Sequence, residues 1–146
     1  MIDLKTLTIS KARKALDAGD FSALDLSRAY LAEIKNKDGD IHAYLEVFSD
    51  VEDQAKEADK KLKAGEKLPL LGTPFAIKDN ILIKGRKASA ASKMLENYVA
   101  PYDATAIEKL KTAGAIFLGR TNMDEFAMGS STEHSAYGPT KNPHDL

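Results

Sequence analysis

Over the first 65 positions apolar residues recur at helical spacing; beyond them they come in short unbroken runs. Ile9, Ala12 and Leu16 share one helical face behind Thr8 or Thr6 as N-cap, and Gly19 closes the segment. Ser22 with Asp25 reads as a capping-box start, after which Ala23, Leu26, Tyr30 and Ile34 step at helical spacing as far as Gly39. Residues 41–48 are rich in β-formers and predict a strand that takes in His42. Ser49 with Glu52 predicts the cap of a third helix, with Val51, Ala55, Ala58 and Leu62 on one face. Charges of both signs fill its other face, the pattern of a solvated surface and not of a nucleic-acid patch.

The later runs are shorter. Phe75-Ala76-Ile77 predicts a buried strand bounded by the turn signal at residues 72–74, and it delivers Lys78, Asp79 and Asn80 in succession. Ile81-Leu82-Ile83 is a second apolar run, and Lys84-Gly85-Arg86 turns the chain. Ala88-Ser89-Ala90-Ala91-Ser92 is a small-residue stretch suited to close backbone approach or to hydrogen bonding with a neighbour. Asp103 predicts the cap of a helix with Ala106, Leu110 and Ala113 facing inward, Lys109 and Lys111 in its last turn and Gly114 at its end. Ala115-Ile116-Phe117-Leu118 then reads as a strand, and helix, glycine, strand is the rhythm of an α/β layer structure. From Gly119 onward the chain is rich in glycine and hydroxyls, with one short helical turn predicted at residues 124–128. Loops of that length are functional or disordered, and Phe126, Met128 and Tyr137 argue for the former.

Composition narrows the function classes. The 146 residues are 43% hydrophobic and 29% charged, enough for a domain with a core. A net charge of -1 leaves no Lys/Arg excess for general polyanion binding. With no cysteine, disulfides, a thiol nucleophile and thiolate metal sites are all excluded. Neither a signal-like segment nor an apolar run of membrane-spanning length is present, so a cytoplasmic location is expected. Phosphate-cradling, zinc-protease and nucleophile-elbow motifs are missing, and His42, His134 and His144 are too scattered to suggest a metal site.

Lys78 is the candidate for chemistry. To act as a base near neutrality a lysine must drop by roughly three pKa units, about 4 kcal/mol of differential stabilisation, which burial at a strand end beside hydroxyls can supply. The ordinary alternative is a solvated strand terminus with Asp79 as a turn residue. Ser130 and Ser131 offer hydroxyls for a Ser–Lys arrangement, against the plain alternative of a turn. Asp124 suits a helix start, while Glu125 can reach a site or a partner.

Taken together, Gly72-Thr73-Pro74-Phe75-Ala76-Ile77-Lys78-Asp79-Asn80, residues 91–98, Tyr102-Asp103-Ala104-Thr105, residues 119–133 and residues 137–143 resemble the amidase signature family. Residues 119–143 resemble more closely its branch of glutamine-hydrolysing subunits that serve tRNA-dependent amidation. The resemblance implies an α/β layered fold with helices around a central mixed sheet, incomplete here. Residues 1–146 would form the N-terminal part of a single amidase domain, helical over 1–65, with the lysine-bearing α/β core and loop over 66–146. It implies a triad of serine nucleophile, bridging serine and lysine, of which only Lys78 is present; both serines are expected beyond Leu146. Gly129, Ser130 and Ser131 are implied to lie near the acyl substrate and outside the triad. The implied role is hydrolysis of glutamine, with ammonia passing to partner subunits B and C of a heterotrimer. There ATP and Mg would serve to amidate mischarged tRNA, with no cofactor in this chain and no membrane. The 146 residues alone are then expected to be inactive. Arg120 stands where the resemblance leads one to expect lysine, and His134 where it leads one to expect asparagine. Rival readings are a stand-alone amidase and a non-catalytic short protein that binds partner subunits through its N-terminal helices. A Schiff-base lysine enzyme would need a carbonyl pocket of which the sequence gives no sign.

Overall fold

The computed structural model describes residues 2–145. Helix α1 (Ile9–Ala18) starts where the Thr8 hydroxyl accepts from the Lys11 amide and ends at left-handed Gly19, burying Ala12 and Leu16. Helix α2 (Ala23–Ile41) opens on the reciprocal Ser22–Asp25 capping box. A second carboxylate joins that end: Asp59, from the helix beneath, accepts from the Ala23 amide at 2.7 Å and the Leu24 amide at 3.2 Å, matching negative charge to the free N–H groups of the helix start. The expected stop at Gly39 is not observed. Helix α2 runs through Gly39 to Ile41, and His42 is its left-handed cap (φ 58°), not a strand residue. The reason lies in Asp38, whose backbone carbonyl accepts from the His42 amide while its carboxylate takes the Ala43 and Tyr44 amides. Those amides are tied before the strand β1 (Tyr44–Val47) begins.

Helix α3 (Val51–Lys63) buries Val51, Ala55 and Ala58 as the spacing predicts. Its cap differs: Asp50, not Ser49, occupies the N-cap, and its side chain makes no capping bond. The Asp50 carboxylate is taken instead by Arg86, at 2.7 Å from both oxygens, and by Gln54. Strand β2 (Pro74–Lys78) matches the predicted run, whereas residues 81–83 are an irregular segment between two turns, with Ile83 buried in the core. Helix α4 (Thr105–Thr112) is capped by Ala104 and buries Ile107; of the expected inner face, Leu110 packs on the core and Ala113 is half-buried, while Ala106 is exposed and Ile107 takes its place. Asp103 is drawn away from the cap because its carboxylate accepts from the Lys84 amide at 2.8 Å and from the Lys111 ammonium at 2.7 Å.

Strand β3 (Ile116–Thr121) is the centre of a three-stranded mixed sheet of order β1-β3-β2, antiparallel to β1 and parallel to β2. Helices around this sheet give the α/β layering expected. Helix α3 packs on β3 and on α2, and the core joins Leu16, Leu26, Val51, Leu71, Ile107 and Ile116. The Gln54 side-chain amide completes the ladder where β1 no longer reaches, pairing with the Phe117 N–H at 2.9 Å and its carbonyl at 3.3 Å. Gly119 lets β1 come close: a Cβ there would lie 2.2 Å from the Glu46 carbonyl oxygen. In register, Lys78 of β2 and Tyr44 of β1 both pair with Thr121, so the lysine stands at the C-terminal end of the sheet.

Candidate active site

Strand alternation fixes what the end of β2 presents. Ile77 and Asp79 point inward and are buried, and Lys78 between them points out and is exposed. This corrects the expectation of a buried lysine held beside hydroxyls; at this strand end the buried ionisable group is its neighbour. The Asp79 side chain is 0% exposed, and its oxygens are surrounded by donors. One oxygen accepts from the Ser89 amide at 3.2 Å and from Arg120 at 2.7 Å. The other accepts from the Ser89 hydroxyl at 2.5 Å and the Ala91 amide at 2.9 Å. The small-residue stretch thus finds its neighbour in Asp79.

Arg120 spans two carboxylates, with Nε 2.8 Å from Glu46 on β1 and Nη1 2.7 Å from Asp79. Burial works against its charge, but the hydrogen bonds and charges of Asp79 and Glu46 outweigh that and raise its pKa above the usual arginine value. The planar guanidinium reaches both acids at once, which the single ammonium of lysine would do less well.

The loop after β3 is ordered by a second buried carboxylate. Asp124 accepts from the amides of Ser131 (3.1 Å), Thr132 (2.9 Å) and His134 (3.0 Å). The His134 and Thr132 amides are the main reason its carboxyl is held below the usual range, against the opposing effect of burial. Gly129 lies directly over it, where a Cβ would stand 2.4 Å from the carboxyl carbon. The predicted helical turn is the short 3-10 segment Glu125–Ala127, but Asp124 organises the loop through these amides and gives that turn no side-chain cap. Glu125 accepts from the Ser92 hydroxyl at 2.6 Å, and the Lys93 ammonium sits 4.4 Å from the centre of the Tyr137 ring.

Gly129, Ser130 and Ser131 are all exposed on this loop, and the Ser131 hydroxyl donates to Glu133 at 2.7 Å. No hydrogen bond among the described residues joins either serine to Lys78, so residues 2–145 assemble no Ser–Lys pair. No group of three or more His, Asp or Glu side chains among them could hold a metal ion. No helix among them is long and apolar enough to cross a membrane. A cavity of about 320 Å3 walled by Gln54, Lys61, Arg86 and Phe117 lies at the opposite end of β3 from Lys78.

Residues 25–146 match the family described as Amidase. The chain belongs to the amidase family. Across 146 residues, 99% of the chain, it is 51% identical to a glutamyl-tRNA(Gln) amidotransferase subunit of Ruminiclostridium cellulolyticum, and it spans 30% of that relative's length. The crystal structure of the corresponding glutamyl-tRNA(Gln) amidotransferase subunit from Thermotoga maritima superposes with a TM-score of 0.77 at 38% identity, covering 100% of this chain and 30% of that one. A peptide amidase from Stenotrophomonas maltophilia gives a TM-score of 0.78 at 31% identity, covering 83% of this chain and 26% of that one. The amidase fold of this chain is thus shared by relatives named for different reactions.

Three residues of the site carry little signal in the sequence. Asp79 reads as a turn residue, Arg120 as a conservative exchange and Ser89 as a small side chain. Their partners are distant along the chain: Asp79 and Arg120 are 41 positions apart.

Proposed function

We propose that this chain is the base-bearing part of a glutaminase subunit in a tRNA-dependent amidotransferase. The 51% identity to the Ruminiclostridium cellulolyticum protein, against 31% to the peptide amidase, is the observation that carries this reading. Lys78, as the neutral amine, accepts the proton of a serine nucleophile through a bridging serine and returns it to the departing ammonia. Neither serine is among the residues described, and neither is the covering surface that would exclude water from the exposed Lys78. Gly129, Ser130 and Ser131, on the loop shaped by Asp124, line the acyl side of the glutamine substrate. Released ammonia passes to partner subunits B and C, where ATP and Mg2+ activate the glutamate or aspartate of mischarged tRNA; the assembly works in the cytoplasm.

The competing reading is a stand-alone amidase, favoured by the equally good superposition on the peptide amidase. Ammonia release by the polypeptide its host makes, assayed on glutamine and on peptide amides with and without subunits B and C, separates the two. For a glutaminase subunit, glutamine is preferred and turnover depends on the partners. Equal or better turnover of peptide amides without partners would overturn that assignment.

A further inference from the structure

We infer that Asp79 is a positioning residue: its buried carboxylate locks the lysine-bearing end of β2 to the turn at residues 88–91, and through that turn to the loop holding Gly129, Ser130 and Ser131. The inference rests on the reading of Lys78 as the base.

The coupling runs through named bonds. The Asp79 amide donates to the Thr121 carbonyl at 3.1 Å, continuing the β2–β3 ladder one residue past Lys78, and the Asp79 carbonyl accepts from the Ala90 amide at 3.2 Å. The Asp79 carboxylate grips the same turn from its other side through the Ser89 and Ala91 amides and the Ser89 hydroxyl. The turn then passes the constraint on: the Ala90 carbonyl accepts from the Phe126 amide at 2.9 Å, and the Ala91 carbonyl from the Ala136 amide at 3.0 Å. One carboxylate thereby sits between the base and both ends of residues 126–136, the segment that carries Gly129, Ser130 and Ser131.

Backbone conformation marks the same contact. Ala90 (φ 48°) and Ala91 (φ 51°) on one side, and Phe126 (φ 54°) and Ala127 (φ 63°) on the other, are non-glycine residues in the left-handed region. Such conformations persist where the surroundings over-determine them, and they gather at sites where geometry matters to chemistry. At Ala90 and Ala91 the over-determining bonds converge on Asp79, while Phe126 and Ala127 are held by the Ala90 and Asp124 carbonyls. A carboxylate needed only to bind the sheet together would be served by Arg120; the Ser89 and Ala91 amide bonds act on the turn, and the Ser89 hydroxyl joins the two, donating to Asp79 and accepting from Arg120 at 3.2 Å.

The test uses the polypeptide made by the host with its partner subunits, and measures kcat and KM for ammonia release from glutamine together with the thermal midpoint. Ser89→Ala is the decisive variant, because it removes one donor from Asp79, together with a 3.2 Å acceptor for Arg120, and leaves the Asp79–Arg120 pair and both turn amides in place. Its kcat is expected to fall by about fivefold with KM within about twofold, since a small misplacement of a base slows chemistry more than binding. For Asp79→Asn, where it folds, kcat is expected to fall by about 100-fold. Arg120→Lys keeps the charge opposite Asp79 and is expected to recover most of the kcat lost in Arg120→Ala. A lowered midpoint with unchanged kcat in Ser89→Ala would reduce Asp79 to a stabilising ion pair and overturn the inference. Lys78→Ala is the reference: retained turnover there overturns the base reading and the inference with it, whereas loss there with normal kcat in Ser89→Ala overturns the inference alone.

Discussion

At the end of β2, Lys78 is exposed and Asp79 buried, and under the proposed function the first serves chemistry and the second placement. The place of Lys78 at the end of a strand was legible because a lysine closing an apolar run is conspicuous. Asp79 was not, because a carboxylate after a strand looks like any turn residue until Ser89, Ala91 and Arg120 fold onto it. Glycine carries two further residue-scale predictions. Gly119→Ala would drive a Cβ to 2.2 Å from the Glu46 carbonyl, so it is expected to destabilise the fold by about 3 kcal/mol in urea denaturation, a backbone clash that no side-chain rotation relieves. Gly129→Ala meets the Asp124 carboxyl carbon at 2.4 Å and must shift the loop. Under the proposed function its mark is a KM for glutamine raised by about tenfold with little loss of global stability, read by steady-state kinetics beside thermal unfolding.

Among the elements, boundaries set by local bonds were legible, including the ends of α1 at Gly19 and of α4 at Gly114, and those set by partners elsewhere in the chain were not. Thr8 and the Ser22–Asp25 box announce α1 and α2 through local bonds, which sequence displays directly. The end of α2 depends on Asp38 and His42 outcompeting Gly39, and the caps of α3 and α4 lose Asp50 and Asp103 to distant Arg86, Lys84 and Lys111. Burial by spacing held for α3 and, in α4, for Leu110 and Ala113, while Ile107 and not Ala106 fills the first inward position. Leu26 of α2 is fully buried, so Leu26→Ala is expected to cost about 2–5 kcal/mol in urea denaturation. The loop after β3 should respond to acid. The Asp124 carboxyl titrates below its ordinary value of 3.8, so its contribution is complete above 3.8 and is lost as pH falls through the depressed value. The protection of the Ser131, Thr132 and His134 amides from exchange, relative to their intrinsic rates, is therefore expected to fall below about pH 3.8 in the native protein and to be reduced already at neutral pH in Asp124→Asn.

For the whole molecule, the α/β class and the family were legible because helical spacing, short apolar runs and the residue 119–143 block agree with one another. The placement of the two halves was not, since β1, from the helical first half, joins a sheet centred on β3, 74 positions away at the Glu46–Arg120 pair. The chain spans 30% of the length of its amidotransferase relative, and the catalytic serines of the proposed reaction are not among its described residues. Everything proposed for this chain turns on Lys78 being the base of that reaction. The deciding assay is glutamine-dependent ammonia release by the host-made polypeptide with its partner subunits, native against Lys78→Ala. Turnover is expected to fall by at least about 1,000-fold in the variant, with the fold intact. Turnover within a few-fold of native would remove Lys78 from the chemistry.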